Sequence, residues 1–427
     1  MEASTEVPEA DLRAPSPAPR RSKRALAWVS TANFGEGLPW SVLHQMGTEF
    51  LTASKASSTQ IGSTSLFHLA VTFKFLWSPI VDLFGRKRAW VIATQLVLAG
   101  GMVAIGVASS ARGFTPFWIV ASVFAVFHAT HDIACDGFYI QALDHHDQAL
   151  YAGVRTAAFR CATIVGNSWL VVLAGRTSWF LGFAVAGGIM LATAIVNGFL
   201  MPRPPARPPV RKDAEPGVKA AAFWAAYKTF LAQPSAALVL SFMFFYRLGD
   251  IMMFAMSKPL LRDIGVSTVQ RGSLSTPSTL VFIVGSVAAG GIIARRGLER
   301  TLIPLLYLQN LAIPLYIGLA AFKPSLSTIV GVVLIEQLIS GMGVSAHVVF
   351  LIQRCRGVFS ASHYAFATAV VSLGSTLSGY LSGPLDDHFG HTIFFTIAFV
   401  ASWPALVLVW FVPKKPLEAS PAEPSAA

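Results

Sequence analysis

Apolar residues arrive in runs of about 20 or more, the length an α-helix needs to cross roughly 30 Å of hydrocarbon. Reading those runs along the chain predicts helical spans over 26–46, 60–81, 89–109, 114–143, 151–174 and 179–201. After an interruption six more follow, over 234–257, 271–294, 301–322, 327–352, 360–383 and 392–412. The pattern predicts an all-α membrane protein of about twelve transmembrane helices in two six-helix pseudo-symmetric halves, 26–201 and 234–412. The interruption, 202–233, is dense in proline and carries Arg203, Arg207, Arg211, Lys212 and Lys219, so it reads as a solvated basic linker. Residues 1–25 hold Pro, Ala and charge without an apolar stretch, which marks a disordered tail rather than a cleaved signal peptide. Residues 413–427 form a second tail.

Polar residues inside the apolar runs say what the bundle encloses. Glu36, Asp132, Asp136, Asp250 and Glu336 all lie within predicted spans. A carboxylate at bilayer depth costs about 2.5 to 3.5 kcal/mol on insertion scales, so five of them must line an interior rather than face lipid. They fall in the first, fourth, seventh and tenth spans, every third helix, as in a transporter built from three-helix repeats around a central cavity. A weak internal repeat agrees. The turn after the second span reads Asp82-Leu-Phe-Gly85-Arg86-Lys87-Arg88, and that after the eighth reads Ala294-Arg-Arg-Gly297-Leu-Glu-Arg300. Gly85 and Gly297 coincide when the halves are overlaid, and glycine permits the tight turn between antiparallel helices.

Composition sharpens this picture. Only 12% of the 427 residues are charged and 54% are hydrophobic, far from the roughly 25% charged fraction of soluble domains. The formal charge of +11 sits between apolar spans. The positive-inside rule accounts for it and nucleic acid is not implied as a partner. Arg20, Arg21, Lys23, Arg24, Arg86 to Arg88, the linker, Arg295, Arg296, Arg300, Arg354, Arg356, Lys414 and Lys415 all fall on one side. Both termini are expected to be cytoplasmic. Cys135, Cys161 and Cys355 are odd in number and lie in or beside apolar segments, so no disulfide framework is implied. No phosphate-binding loop is found, which argues against a primary ATP-driven pump.

Longer strings carry a family resemblance. The Asp-x-x-Gly-Arg-Lys-Arg turn resembles the gating motif of the major facilitator superfamily. FGEGLP at 34–39, FKFLWSP at 73–79, HDIACDG at 131–137, YRLGD at 246–250 and EQLISGMGVSA at 336–346 are together similar to its peptide and acetyl-coenzyme A transporter family, which includes bacterial muropeptide permeases. The resemblance runs from about Phe34 to the last span. It implies a multi-pass protein of the bacterial inner membrane that imports an anionic glycopeptide, an anhydro-muropeptide from cell-wall turnover, with protons. It implies no cofactor, no metal and a monomer in the lipid bilayer. Acetyl-coenzyme A or another organic anion is the alternative cargo. Asp82, with Gly85, Arg86 and Arg88, takes the gating role by resemblance; otherwise Asp82 is a water-exposed carboxylate at a helix end. Two departures stand out: His131 replaces the family's usual glutamine, and Glu36 stands where the bacterial archetype lacks an acid.

Within that frame individual residues acquire expectations. Asp132 and Asp136 lie one helical turn apart on one face, and two carboxylates so close in a low dielectric resist joint ionisation. They are candidates for proton coupling with Asp250, Glu336, Glu36 and His131; alternatively they are a structural pair satisfied by Arg155 or Arg160. Arg247 and Asp250, spaced by three, either neutralise one another or form a fork that takes an anion when the acid is protonated. Arg160 and Arg247 read as the deepest basic residues and as substrate ligands. Lys74, Trp40 and Tyr246 join them, although Lys74 lies near enough to a span end to snorkel. The small residues after Glu336, namely Ser340, Gly341, Gly343, Ser345 and Ala346, suit close helix packing. Trp77, Trp118 and Trp169 suit interface anchoring as well as ring stacking. The run Asp144-His145-His146-Asp147 has ligand types a metal accepts but sits in a predicted solvated turn. A membrane-embedded metal-dependent hydrolase using His131, Asp132, His145 and Asp147, and a transport-dead sensor, are the rival readings.

Overall fold

The computed structural model describes residues 23–83, 86–143, 145–203, 228–355 and 360–415. Most of both expected tails, most of the linker and Gly85 therefore lie outside the described residues. Among the described residues the regular elements are helical, with no strand, and they group into twelve rods. These are α1 (23–53), α2 (58–83), α3 (Lys87–Ser109), α4 (Thr115–Ala142), α5 (145–176) and α6 (Trp179–Leu200). The second set is α7 (Ala236–Asp263), α8 (Thr268–Arg296), α9 (Leu298–Phe322), α10 (Leu326–Gln353), α11 (360–389) and α12 (391–408). Nine described helices are long and apolar enough to cross a membrane, α11 and α12 counting as one across the kink at Gly390. Short segments make up α1 and α2 instead.

Local chemistry explains the starts and turns. Rods α2 and α8 open with the same capping box, in which Ser57 or Ser267 accepts from the backbone N–H of Gln60 or Gln270 and the glutamine side chain accepts in return. Equivalent helices of the two halves thus begin by one device. Gly297, at the turn after α8, has φ 76°, a conformation that disfavours a side chain.

Several expected boundaries move, and two of the moves bring carboxylates into helices. Rod α1 runs on to Ala53 rather than ending at Met46, which brings Glu49 inside the bundle at 2% exposure. Rod α11 continues beyond Gly383 to Gly390, so Asp386 and Asp387 lie in its last turns instead of a loop. Both find partners there. Asp386 accepts from the Ser58 hydroxyl at 2.6 Å, and Asp387 accepts from the backbone N–H groups of Ser58 and Thr59, at the first turn of α2. An aspartate at a helix start meets free N–H groups and the positive end of the helix dipole.

The first six rods pack as α1 on α5 and α6, with α3 on α4 and α6; the second six as α8 on α10, α9 on α10 and α7 on α11–α12. The halves meet through α2 against α11 and α5 against α8. Close approach requires glycine at the crossing of each pair. A Cβ on Gly62 would lie 2.9 Å from the Gly379 oxygen and the Gly383 nitrogen, and one on Gly272 would lie 3.0 Å from methyls of Val171 and Val172. Each glycine stands five residues after its capping serine. These crossings lie at the end of the bundle opposite the termini, called here the closed end, and Phe50, Phe117, Met256 and Phe395 of the main apolar core lie toward it.

Candidate functional site

Between the halves lies a cavity of about 750 Å³ lined by α1, α2, α5, α7, α8, α9, α10 and α11. Broken helices shape it. The helix of α1 widens into a π turn at Val42–Met46 and that of α5 at Val165–Trp169, and the two turns face each other. Such turns free backbone groups and recur at functional sites. Rod α7 breaks at Arg247, φ −104° and ψ 3°, so that Asp250 falls in the first turn of the following helix segment, where the helix dipole favours a carboxylate. Discontinuous helices at mid-bundle are how transporters expose backbone and charge to a solute.

Charge is organised in three groups. In the first half Glu36, Asp132 and Asp136 bring carboxylate oxygens within 4.8 Å of one another. Lys74 is wedged against Asp132 and lies 3.9 Å from Asp136, while Arg155 bonds Asp136 and reaches Glu36 at 3.4 Å. Arg155, not Arg160, is therefore the partner of the acid pair. Glu36 keeps one carboxylate oxygen, Oε2, buried without a partner among the described residues. In the second half Arg247 bonds Asp250 at 2.9 Å, and Asp250 also accepts from Ser340 at 3.1 Å. Glu336 accepts from Gln337 at 2.9 Å and from Tyr316 at 3.5 Å, with no ion pair among the described residues. Gly341, one turn on, lies against the backbone of Phe282 on α8, the close packing its small neighbours suggest.

The third group crosses the halves near the closed end and escaped the sequence reading. Arg271 on α8 donates to Glu49 on α1 at 3.0 Å from Nε, and its Nη2 lies 2.9 Å from the same carboxylate, with both side chains 3% exposed. Lys258 on α7 lies 3.9 Å from Glu49 and donates to the Gln45 carbonyl at 3.0 Å. Arg160 and Arg247 are thus not the only deep basic residues. Exposure runs the other way toward the termini: the side chains of Lys74 and Asp136 are 30% and 38% exposed. The cavity opens toward the termini and is sealed at the closed end.

The structure distributes the remaining candidates. Trp40 and Arg160 line the cavity, Arg160 with its guanidinium 5.2 Å from the centre of the Phe282 ring. Tyr246 is buried, stacks on His347 and donates to the Gly343 carbonyl at 2.9 Å, outside the lining. His131 is buried toward α3, its Nδ1 2.8 Å from the Thr94 hydroxyl. Trp77 donates to Thr130, Trp118 packs on Phe67 and Trp169 is largely exposed, so none of these three lines the cavity. Arg86 is exposed, while Arg88 donates to the carbonyls of Gly198 and Met201 and ties α3 to α6. The side chains of Asp82, His145 and His146, and all of Asp144, lie outside the described residues. With Asp132 paired to Lys74 and His131 turned to Thr94, those two do not share a metal site. Three further imidazoles, His44, His68 and His128, also went unread, since a single histidine in an apolar run has no telling spacing.

Six carboxylates, Glu36, Glu49, Asp132, Asp136, Asp250 and Glu336, and six cations, Lys74, Arg155, Arg160, Arg247, Lys258 and Arg271, line the cavity or belong to the cluster that Arg155 joins to it. With all ionised the site is neutral. Entry of an anion then leaves uncompensated charge in a low dielectric unless a carboxylate takes up a proton.

The family model of the Major Facilitator Superfamily matches residues 25–357. The anhydromuropeptide permease of Escherichia coli (strain K12) is 29% identical over 385 residues, which span 88% of this chain and 77% of that one. A Rickettsia conorii chain described as an AmpG-type transporter is 22% identical over 395 residues, 89% of this chain and 94% of that one. Among solved structures, a bacterial homologue of the human lysosomal transporter Spinster, inward-facing and unoccupied, superposes with a TM-score of 0.67 at 15% identity, covering 92% of this chain and 95% of that one.

Proposed function

The chain belongs to the Major Facilitator Superfamily, and from that premise we propose that it is a proton-coupled importer of an anionic, anhydromuropeptide-type solute across a bacterial inner membrane, with both termini cytoplasmic. The observation that carries the reading is the balance of six carboxylates against six cations around one cavity shared by both halves. A solute bearing one negative charge keeps that balance when one proton travels with it. Arg160 is the cation best placed to meet the solute, because no carboxylate pairs with it among the described residues. Arg247 becomes available when Asp250 is protonated. Glu336, Asp250 and the Glu36–Asp132–Asp136 cluster are the proton acceptors.

The solute class rests on the kinship with the Escherichia coli permease, whose name states its cargo. The cavity volume of about 750 Å³ lies in the range of small organic ligand sites, roughly 300 to 1,000 Å³. Orientation rests on the basic residues at the termini end, Arg86 to Arg88, Arg295, Arg296, Arg300, Arg354, Lys414 and Lys415, which the positive-inside rule assigns to the cytoplasm. By that assignment the cavity faces inward. Like the matched family and relatives, the protein is a transporter and not an enzyme, which leaves the hydrolase reading without support.

Binding of a labelled anhydromuropeptide to purified protein, challenged with unlabelled anhydromuropeptide, acetyl-coenzyme A and an uncharged disaccharide, tests the solute class. Displacement by anhydromuropeptide alone is expected. No saturable binding of labelled anhydromuropeptide, with saturable binding of labelled acetyl-coenzyme A, would replace the cargo.

A further inference from the structure

Three imidazoles have no part in the scheme above. His44 stands on α1, His68 on α2 and His128 on α4, and each keeps one ring nitrogen, Nε2, Nδ1 and Nδ1 in turn, buried without a hydrogen-bond partner among the described residues. The rings of His44 and His68 meet edge to face with centroids 3.9 Å apart. His128 lies close enough to both for charge on one ring to act on the others, and it interacts in the same way with Asp132. Idle polar nitrogens are unfavourable in a dry interior, and three gathered together call for a purpose.

Their level in the bundle supplies one. His128 precedes Asp132 by four residues on α4, about 6 Å along the axis, and His44 follows Glu36 by eight on α1, about 12 Å, both toward the closed end. Beyond them on α1 come Thr48 and Glu49, where the halves seal. The imidazoles therefore stand at the level between the carboxylate cluster and the sealed end, His44 and His68 on the cavity wall and His128 behind it. A proton reaching Asp132 or Glu36 from that end passes this level.

We propose that His44, His68 and His128 form a proton relay that loads the Glu36–Asp132–Asp136 cluster from the closed end, an inference that rests on the proton-coupled reading. Imidazole suits the task because one ring nitrogen accepts a proton while the other releases one. Each step forms one N–H bond and breaks another. The last, from His128, forms an O–H bond on Asp132, and the net change is one proton moved from the closed-end water to a carboxylate. The charged and titratable groups facing the section are Glu49 on α1 and Lys258 on α7 toward the closed end, and Glu36, Lys74 on α2, His131 and Asp132 on α4, and Arg155 and Arg160 on α5 toward the other.

His128→Gln is the decisive variant, because His128 does not line the cavity; His44→Gln and His68→Gln accompany it. In proteoliposomes, uptake of labelled anhydromuropeptide driven by a pH gradient should fall roughly a hundredfold, the lower end of what a positioned proton-transfer group contributes. Exchange of labelled for unlabelled solute, which needs no net proton movement, should persist in His128→Gln. Gradient-driven uptake at the wild-type rate in all three variants would overturn the relay alone. Equal loss of exchange and gradient-driven uptake in His128→Gln, and in His128→Asn as a second variant of normal gel-filtration profile, would show a structural role and also overturn it. A wild-type protein indifferent to the gradient would overturn the relay and the proton-coupled reading beneath it.

Discussion

Glu49→Gln should open the closed end. The carboxylate of Glu49 sits between Arg271, at 2.9 Å, and Lys258, at 3.9 Å, with all three side chains largely or wholly withdrawn from solvent. Removing one partner of a buried ion pair costs about 3 to 5 kcal/mol while the remaining charge stays buried. Here two cations from the second half are left facing each other, and separating the halves hydrates both. Much of the cost therefore becomes a bias between conformers, on the order of 1 to 3 kcal/mol, which is a shift of roughly 5- to 150-fold in their ratio. Arg271→Gln should shift it less, because Lys258 stays within reach of Glu49. Spin labels on Lys55→Cys and Lys323→Cys, exposed positions at the closed end of the two halves, with Cys135, Cys161 and Cys355 replaced, read the distance between them. A longer-distance population should grow in the order wild type, Arg271→Gln, Glu49→Gln. Identical distributions in all three, or the reverse order of the two variants, would refute the reasoning.

Three further expectations follow from the same charges. Changing Asp132 and Asp136 together to Asn should abolish uphill uptake while the protein still inserts, although Lys74 and Arg155 lose partners and some stability with them; accumulation against a gradient in the double variant would contradict it. Arg160→Lys keeps the charge but removes the bidentate fork, and should weaken anhydromuropeptide binding by about 10- to 100-fold, the worth of one charge-assisted hydrogen bond, with wild-type affinity in a direct binding assay leaving Arg160 a structural role. Asp82→Asn, at the termini end, should shift the same conformer ratio by about 1 to 3 kcal/mol but opposite in sign to Glu49→Gln, and spin-label distances at both ends would expose a variant that shifts nothing.

The helical spans were legible because hydropathy and helix length are local properties of a chain in lipid. So was the interior position of Glu36, Asp132, Asp136, Asp250 and Glu336, since the cost of a lipid-facing carboxylate leaves little choice. The Glu49–Arg271 pair was not legible. Its members are 222 residues apart and each stands near a span end, where a charge ordinarily meets water. Which basic residue answers the acid pair was also open, because Arg155 and Arg160 share α5 and only the azimuth of that helix against α4 selects Arg155. Tyr246 and His131 show the same limit: both lie in the motif strings, yet helix rotation turns one to His347 and the other to Thr94. The capping boxes at Ser57 and Ser267 could have been read from sequence and would have fixed the starts of α2 and α8.

Whether protons drive this solute is decided by one measurement. Purified protein in proteoliposomes would be given labelled anhydromuropeptide with the outside more acid than the inside, with no gradient, and with the gradient collapsed by a protonophore, while a pH-sensitive dye trapped inside records proton entry. The charge balance of the cavity predicts accumulation above the outside concentration only with the gradient, accompanied by solute-dependent acidification of the lumen. Equal solute levels under all three conditions, with no acidification, would contradict it.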